Sequence, residues 1–242
     1  MTRIDATALG LSLARLEDVH RRDLDPQDML KQVVAAVDQL FGLSGAGLML
    51  VDDGQVLRYA AASDETSAQL EISQEELGEG PCIDSFVHDH AVEVRDLASD
   101  ERYQRLAQRL ADVPIDAVLG VPVNISGSSV GSLNVYLDRP HDWQPEEVGA
   151  LEGYARVVEM VLVTVLTARR HSRLAEQLQY ALDYRVVIER GVGYLMARYE
   201  VDEVQAFHVL RRTARSSRRK VGEVARDIIA GKPIEDAAIA SS

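Results

Sequence analysis

The chain holds a single cysteine, Cys82, among 242 residues, so it can form no intramolecular disulfide and has no cysteine cluster for zinc. No basic-then-apolar stretch opens it as a secretory leader would. Its most apolar run, Val157–Leu166, is about half the length of a membrane span and is interrupted by Glu159 and Thr164. A soluble, cytoplasmic protein without membrane contact is therefore expected. Also missing are a phosphate loop, a His-Glu-x-x-His pair and a phospho-receiver acidic pocket. The acidic pairs Asp52-Asp53 and Glu75-Glu76 fit turn and surface positions, so no enzymatic activity is expected. What is present is globular: hydrophobic residues make up 46% and charged residues 27%, which argues against general disorder.

A cation excess is lacking too, since the formal charge is −13. That average hides a division. Residues 1–168 carry 12 Lys+Arg against 29 Asp+Glu (−17), whereas residues 169–242 carry 14 against 10 (+4). A basic end on an acidic body suggests a polyanion partner for that end alone, although two ordinary solvated surfaces would give the same numbers.

Helical periodicity covers Leu11–Gly42, with Leu24, Met29, Leu30, Val33, Val34, Val37, Leu40 and Phe41 on one face and a start signal at Asp25-Pro26. The runs Ala46–Val51 and Val56–Ala62 flank Asp52-Asp53-Gly54 and read as a hairpin. Residues 66–77 read as helical or irregular. Gly78-Glu79-Gly80-Pro81-Cys82 then precedes a short helix, Ile83–Asp89. Ala91–Asp96 is a short strand and Ser99–Ala111 a helix. The strands Ala117–Ile125 and Val130–Leu137 meet at Ser126-Gly127-Ser128-Ser129, and Pro122 asks for an edge or bulged position. Beyond Trp143-Gln144-Pro145 no proline interrupts the chain as far as Arg198, so long helix follows, in one or two pieces. Asp202 is placed to cap a helix Glu203–Arg218, and another runs about Val221–Ala230 up to Gly231-Lys232-Pro233. Mixed strands and helices followed by helices alone make the fold class α+β with an all-α end.

The long helix keeps a 3-4-3-4 spacing at His171, Leu174, Leu178, Ala181, Arg185, Ile188, Val192 and Leu195. Such a stripe suits a homodimeric coiled coil, with Leu174, Leu178, Ala181 and Ile188 as dimerisation residues, or packing on helices of the same chain. Arg185 is the charged exception.

The text Ala181–Glu189, then Gly193-Tyr194-Leu195-Met196-Ala197-Arg198, then Ala206–Ala214 and Arg219–Ala225, resembles the ANTAR module of transcription antitermination regulators. The resemblance implies a three-helix module binding paired hexanucleotide-loop hairpins of nascent RNA. It departs at Gly191 and Val192, where the family usually has alanine and lysine; losing that lysine removes about one phosphate contact. Residues 24–167 resemble GAF domains, through Gly78–Cys82 and the strand ending Gly131-Ser132-Leu133-Asn134-Val135-Tyr136. The order is that of actinobacterial GAF–ANTAR regulators. It implies a helical extension (1–23), an antiparallel GAF-like sheet flanked by helices (24–167), a coiled-coil linker (168–181), an ANTAR-like module (182–231) and a disordered tail (232–242).

Arg211, Arg212, Arg215, Arg218, Arg219 and Lys220 place six cations within ten residues without an acid. On a continuous helix Arg211, Arg215 and Arg218 share one face, and guanidinium groups suit phosphates and unpaired bases. With Arg185, Tyr194 and Arg198 they form the expected RNA contacts, Tyr199 being a further stacking candidate. Phe207, Leu210, Ala214, Val224 and Ile228 read as core. The other reading of the basic face is a solvated helix that docks a protein or DNA partner behind a small-molecule sensor. Cys82 reads as a buried structural residue or a redox sensor, and His88 and His90 as surface residues. No metal or cofactor is expected, and the ligand of the GAF-like domain, if it has one, is not named by the sequence.

Overall fold

The computed structural model describes residues 6–20, 25–41, 44–52, 55–167 and 173–232. Leu24, Gly42, the Asp53-Gly54 turn, the seam position His171 and the tail beyond 232 lie outside them, as do the side chains of Leu40 and Phe41. The chain divides into two compact units, Met1–Leu50 with Leu57–Arg170, and Val51–Val56 with His171–Ser242.

The helical reading of residues 11–42 is corrected to two helices, α1 (Ala6–His20) and α2 (Pro26–Phe41). The reason is Pro26, which lacks an N–H and is tolerated only in a helix's first turn. Asp25 caps α2, its carboxylate accepting from the Gln27 N–H at 2.8 Å. The first unit is built on a sheet of β1 (Gly45–Val51), β2 (Leu57–Ala62), β3 (Val92–Val94), β4 (Ala117–Ile125) and β5 (Ser128–Leu137), in the order β2-β1-β5-β4-β3. The pairs β1–β5, β5–β4 and β4–β3 are antiparallel. Helices α3 (Glu65–Leu77), α4 (Pro81–His88) and α6 (Pro145–Thr167) pack on these strands. A 3-10 turn (Glu101–Tyr103) leads into the short α5 (Gln104–Arg109), which covers the reading of one longer helix there. Because helices cover both faces of the central strands, β1, β4 and β5 read as near-continuous apolar runs rather than as alternation; every residue of β1 is buried, whereas Arg58, Tyr59 and Ala60 of β2 are exposed.

Pro122 sits inside an interior strand, but β3 ends opposite Gly120, so β4 is locally an edge at Pro122, and the register slips just beyond it at Val123/Asn124. The N-terminal helix α1 belongs to the same unit as the sheet, packing on α2 and α6, with the Tyr154 hydroxyl of α6 donating to Ser12 Oγ at 2.7 Å.

The second unit contains α7 (Arg173–Tyr199), α8 (Glu203–Ser216) and α9 (Val221–Ile229), with α7 packed on both others. Asp202 caps α8 reciprocally: its carboxylate accepts from the Gln205 N–H at 2.8 Å while Gln205 Oε1 accepts from the Asp202 N–H at 3.2 Å. Leu178, Ala181, Ile188, Val192 and Leu195 are buried within the single chain, and Leu174 is half-buried. Of the two readings of the stripe, packing within the chain is the one seen for these side chains. No helix among the described residues is long and apolar enough to cross a membrane.

Candidate nucleic-acid interface

Helix α8 stops at Ser216. Ser217 begins a tight turn, and Arg218 adopts a left-handed backbone at φ 53°. The basic run is therefore not one helical face. Arg212 and Arg215 are exposed on α8; Arg218 and Arg219 are exposed in the turn, and Lys220 is exposed as the residue before α9. Arg211 departs from this set. It is only 8% exposed, with its guanidinium carbon 5.7 Å from the Phe207 ring centroid. Its stem lies along the apolar side of α8, with Phe207, Leu210 and Ala214.

Arg219 is engaged by acids of α9. Its guanidinium reaches Asp227 at 2.8 Å and Glu223 at 3.9 Å, and Lys232 closes on the same Asp227 at 2.8 Å. The hydrogen bonds from Lys232 and Arg219 hold the Asp227 carboxyl below the usual carboxylate range. Arg219 thus ties the turn to α9. Arg185 is bound one turn along α7 by Glu189. Tyr194 and Arg198 are exposed, about 15 Å or more along α7 from Tyr184.

A pair that sequence reasoning missed lies close to the basic turn. Tyr180 and Tyr184, one turn apart on α7, stack with ring centroids 4.3 Å apart and 22° between planes. The Lys220 ammonium stands 4.3 Å over the Tyr180 ring, and the Arg226 guanidinium 5.4 Å over the Tyr184 ring. Two tyrosines spaced i, i+4 on a helix opposite a basic run carried that signal. Gly222 makes the approach feasible, since a Cβ there would lie 2.7 Å from Tyr184 Cγ. Gly222→Ala is thus expected to destabilise the module by about 1–3 kcal/mol through overpacking. Helix propensity alone would stabilise it by up to about 1 kcal/mol. The sign of the change in thermal midpoint, followed by helical circular dichroism, separates the two, and a rise refutes the contact.

Both departures from the ANTAR pattern have packing causes. A Cβ at Gly191 would sit 2.9 Å from Ala225 Cβ, so the helices cross too closely there for alanine. Val192 is only 6% exposed, so its position belongs to the core and offers no place for a phosphate-contacting lysine. The expectation of a lost surface contact is corrected accordingly.

In the sensor unit a row across three strands, Gly47, Asn134 and Gly120, leaves room above the sheet. A Cβ at Gly47 would meet the Glu71 carboxyl, with Cδ at 2.8 Å. Glu71 of α3 is buried there and accepts from Asn134 Nδ2 at 2.9 Å. Gln74 Nε2 lies 2.7 Å from Cys82 Sγ, and the Cys82 N–H donates to Gln74 Oε1 at 2.9 Å. Burial pushes the Glu71 carboxyl up to about 7, against the lowering effect of Asn134 and Cys82. Burial and the neighbouring Glu71 also push the Cys82 thiol up, so the helix N-terminus does not make it a reactive thiolate. His88 and His90 are exposed. Among the described residues no group of His, Cys, Asp or Glu is arranged to hold a metal.

Comparison with known proteins agrees with this division. A GAF domain model matches residues 23–163 and an ANTAR domain model residues 176–229. No curated protein matches the chain. Among solved structures, it resembles the GAF domain of a phosphoenolpyruvate-protein phosphotransferase from Coxiella burnetii, with 16% identity and a TM-score of 0.55 over 68% of this chain and 98% of that one. It also resembles free methionine-R-sulfoxide reductase from Neisseria meningitidis, with 17% identity and a TM-score of 0.54 over 69% and 97%. A domain of a two-component sensor histidine kinase protein from Sinorhizobium meliloti, described as putative, gives 21% identity and 0.52 over 60% and 97%. At these identities the likeness shows the fold alone. The two matched models are those of regulatory domains, and the first spans more than half of the chain. The protein belongs to the GAF-domain family and is a GAF–ANTAR regulator, a sensor domain followed by an RNA-binding antitermination domain.

Proposed function

We propose that this protein is a cytoplasmic, homodimeric antitermination factor whose basic turn grips the paired hairpin loops of a nascent transcript when its sensor domain receives a signal. It performs no catalytic step and uses no cofactor. The observation that carries the reading is the exposure of Arg212, Arg215, Arg218 and Lys220 around one turn of the helical unit. Arg215 and Arg218 form no ion pair with any described residue. Cations held in this way meet phosphates by releasing condensed counterions, so affinity falls steeply with salt.

The test uses the full chain and a synthetic RNA of two hairpins with six-nucleotide loops, with anisotropy measured from about 50 to 200 mM salt. A log–log slope near −3 or steeper, as about four phosphate contacts give, supports the reading. So does sedimentation of two chains per RNA. Absence of binding at the lowest salt sinks it.

A further inference from the structure

We infer that the outer face of Tyr180 is the seat of one unpaired loop base, a role that rests on the RNA reading above and names the group that reads the base rather than the backbone. Tyr184 covers one face of the Tyr180 ring at a centroid distance of 4.3 Å. The Lys220 ammonium covers the opposite face at the same distance. Aromatic side chains are the platforms on which unpaired bases stack, and every base presents a π-face. The ammonium is exposed and sits on a flexible four-carbon stem over the ring quadrupole, so it can swing from the ring to a phosphate.

The exchange is balanced in charge and contact. An incoming nucleotide places its base where the ammonium stood, and the ammonium moves outward to the phosphate of the same nucleotide. Tyr184, backed by Arg226 at 5.4 Å, keeps the Tyr180 ring in place from behind. Tyr194 lacks this setting: it lies at the far end of α7, more than one-third exposed.

The experiment compares the full chain and its Tyr180→Leu variant on the two-hairpin RNA with intact loops and with a single abasic site moved through each loop position. In the wild type, one abasic position should cost about tenfold in affinity, the order of one base–aromatic stack. In Tyr180→Leu the same position should cost nothing further, and Tyr180→Trp should restore the sensitivity. Tyr180→Leu should leave the salt slope unchanged, whereas Lys220→Gln should flatten it by about one unit. Equal losses in wild type and Tyr180→Leu at every position overturn the inference. Should the leucine variant not fold, photocrosslinking of wild type to 5-iodouridine in the loop decides. A crosslink at Tyr180 supports the assignment and one confined to Tyr194 or Tyr199 overturns it. Failure of wild type to bind intact loops overturns both this assignment and the RNA reading, whereas binding that ignores abasic sites overturns this assignment alone.

Discussion

Replacing Arg212 and Arg215 by alanine and Arg218 by glycine should lower affinity for two-hairpin RNA by roughly a hundredfold or more near 0.1 M salt, and flatten the salt slope by about two. The fold should survive, because all three side chains are exposed. Glycine at 218 suits the left-handed backbone that arginine now adopts at φ 53°. Arg211→Ala should behave in the opposite way. Its side chain is buried against Phe207, so the loss falls on stability rather than on the salt slope. Arg219→Ala should also act first on structure, because it removes the tie from the turn to Asp227. Unchanged affinity in the triple variant, with helicity and thermal midpoint intact, would mean that RNA approaches another face.

A second large effect is expected from acidity in the sensor domain. Glu71 is fully enclosed, and its carboxyl is pushed from an ordinary value of 4.5 up to about 7. The folded protein therefore holds this proton more tightly than the unfolded chain does. The resulting stabilisation is complete below about pH 4.5 and is lost as pH rises through about 7, a change on the order of 3 kcal/mol. Trp143 is the only tryptophan, and it is buried in the sensor unit with its indole N–H donating to the Val94 carbonyl at 3.2 Å. Denaturant unfolding followed by its fluorescence reports this unit. Glu71→Gln stays neutral throughout, so the stability difference between variant and wild type should grow in the variant's favour from pH 5 to pH 8. Other titrating groups cancel in that difference. A constant difference would show that Glu71 is ionised in the folded state at all these pH values.

Most elements of the fold were legible because their signals are local. Asp202 three residues before Gln205, the run of apolar residues in β1 and the glycine-proline step at residues 78–81 each act within a few residues of themselves. The N-terminal helix was misread where periodicity continued across Pro26, and a steric rule outranks a pattern. The site was legible in composition and not in arrangement. Six cations in ten residues are visible in the text. That α8 ends at Ser216, that Arg211 turns inward and that Arg219 meets Asp227 follow from tertiary packing. Tyr180 and Tyr184 become a platform only when α9 brings Lys220 and Arg226 to them, across more than thirty residues of sequence. Gly191 and Val192 looked like losses for the same reason: their cause, the closeness of Ala225 and the burial of position 192, lies on another helix or in the core.

The two glycine contacts between α7 and α9 also fix how motion can pass through the helical unit. Gly222 fits against Tyr184, and Gly191 fits against Ala225, so the helices are keyed at two points like a shaft and its collar. Sliding α9 by one residue would bring Val221 or Glu223 against the tyrosine ring, where even a single added carbon has no room. A twist or tilt applied to α7 is therefore carried to α9 whole, rather than absorbed by slippage between them. The helix that leads into the module and the turn that carries its cations move as one lever.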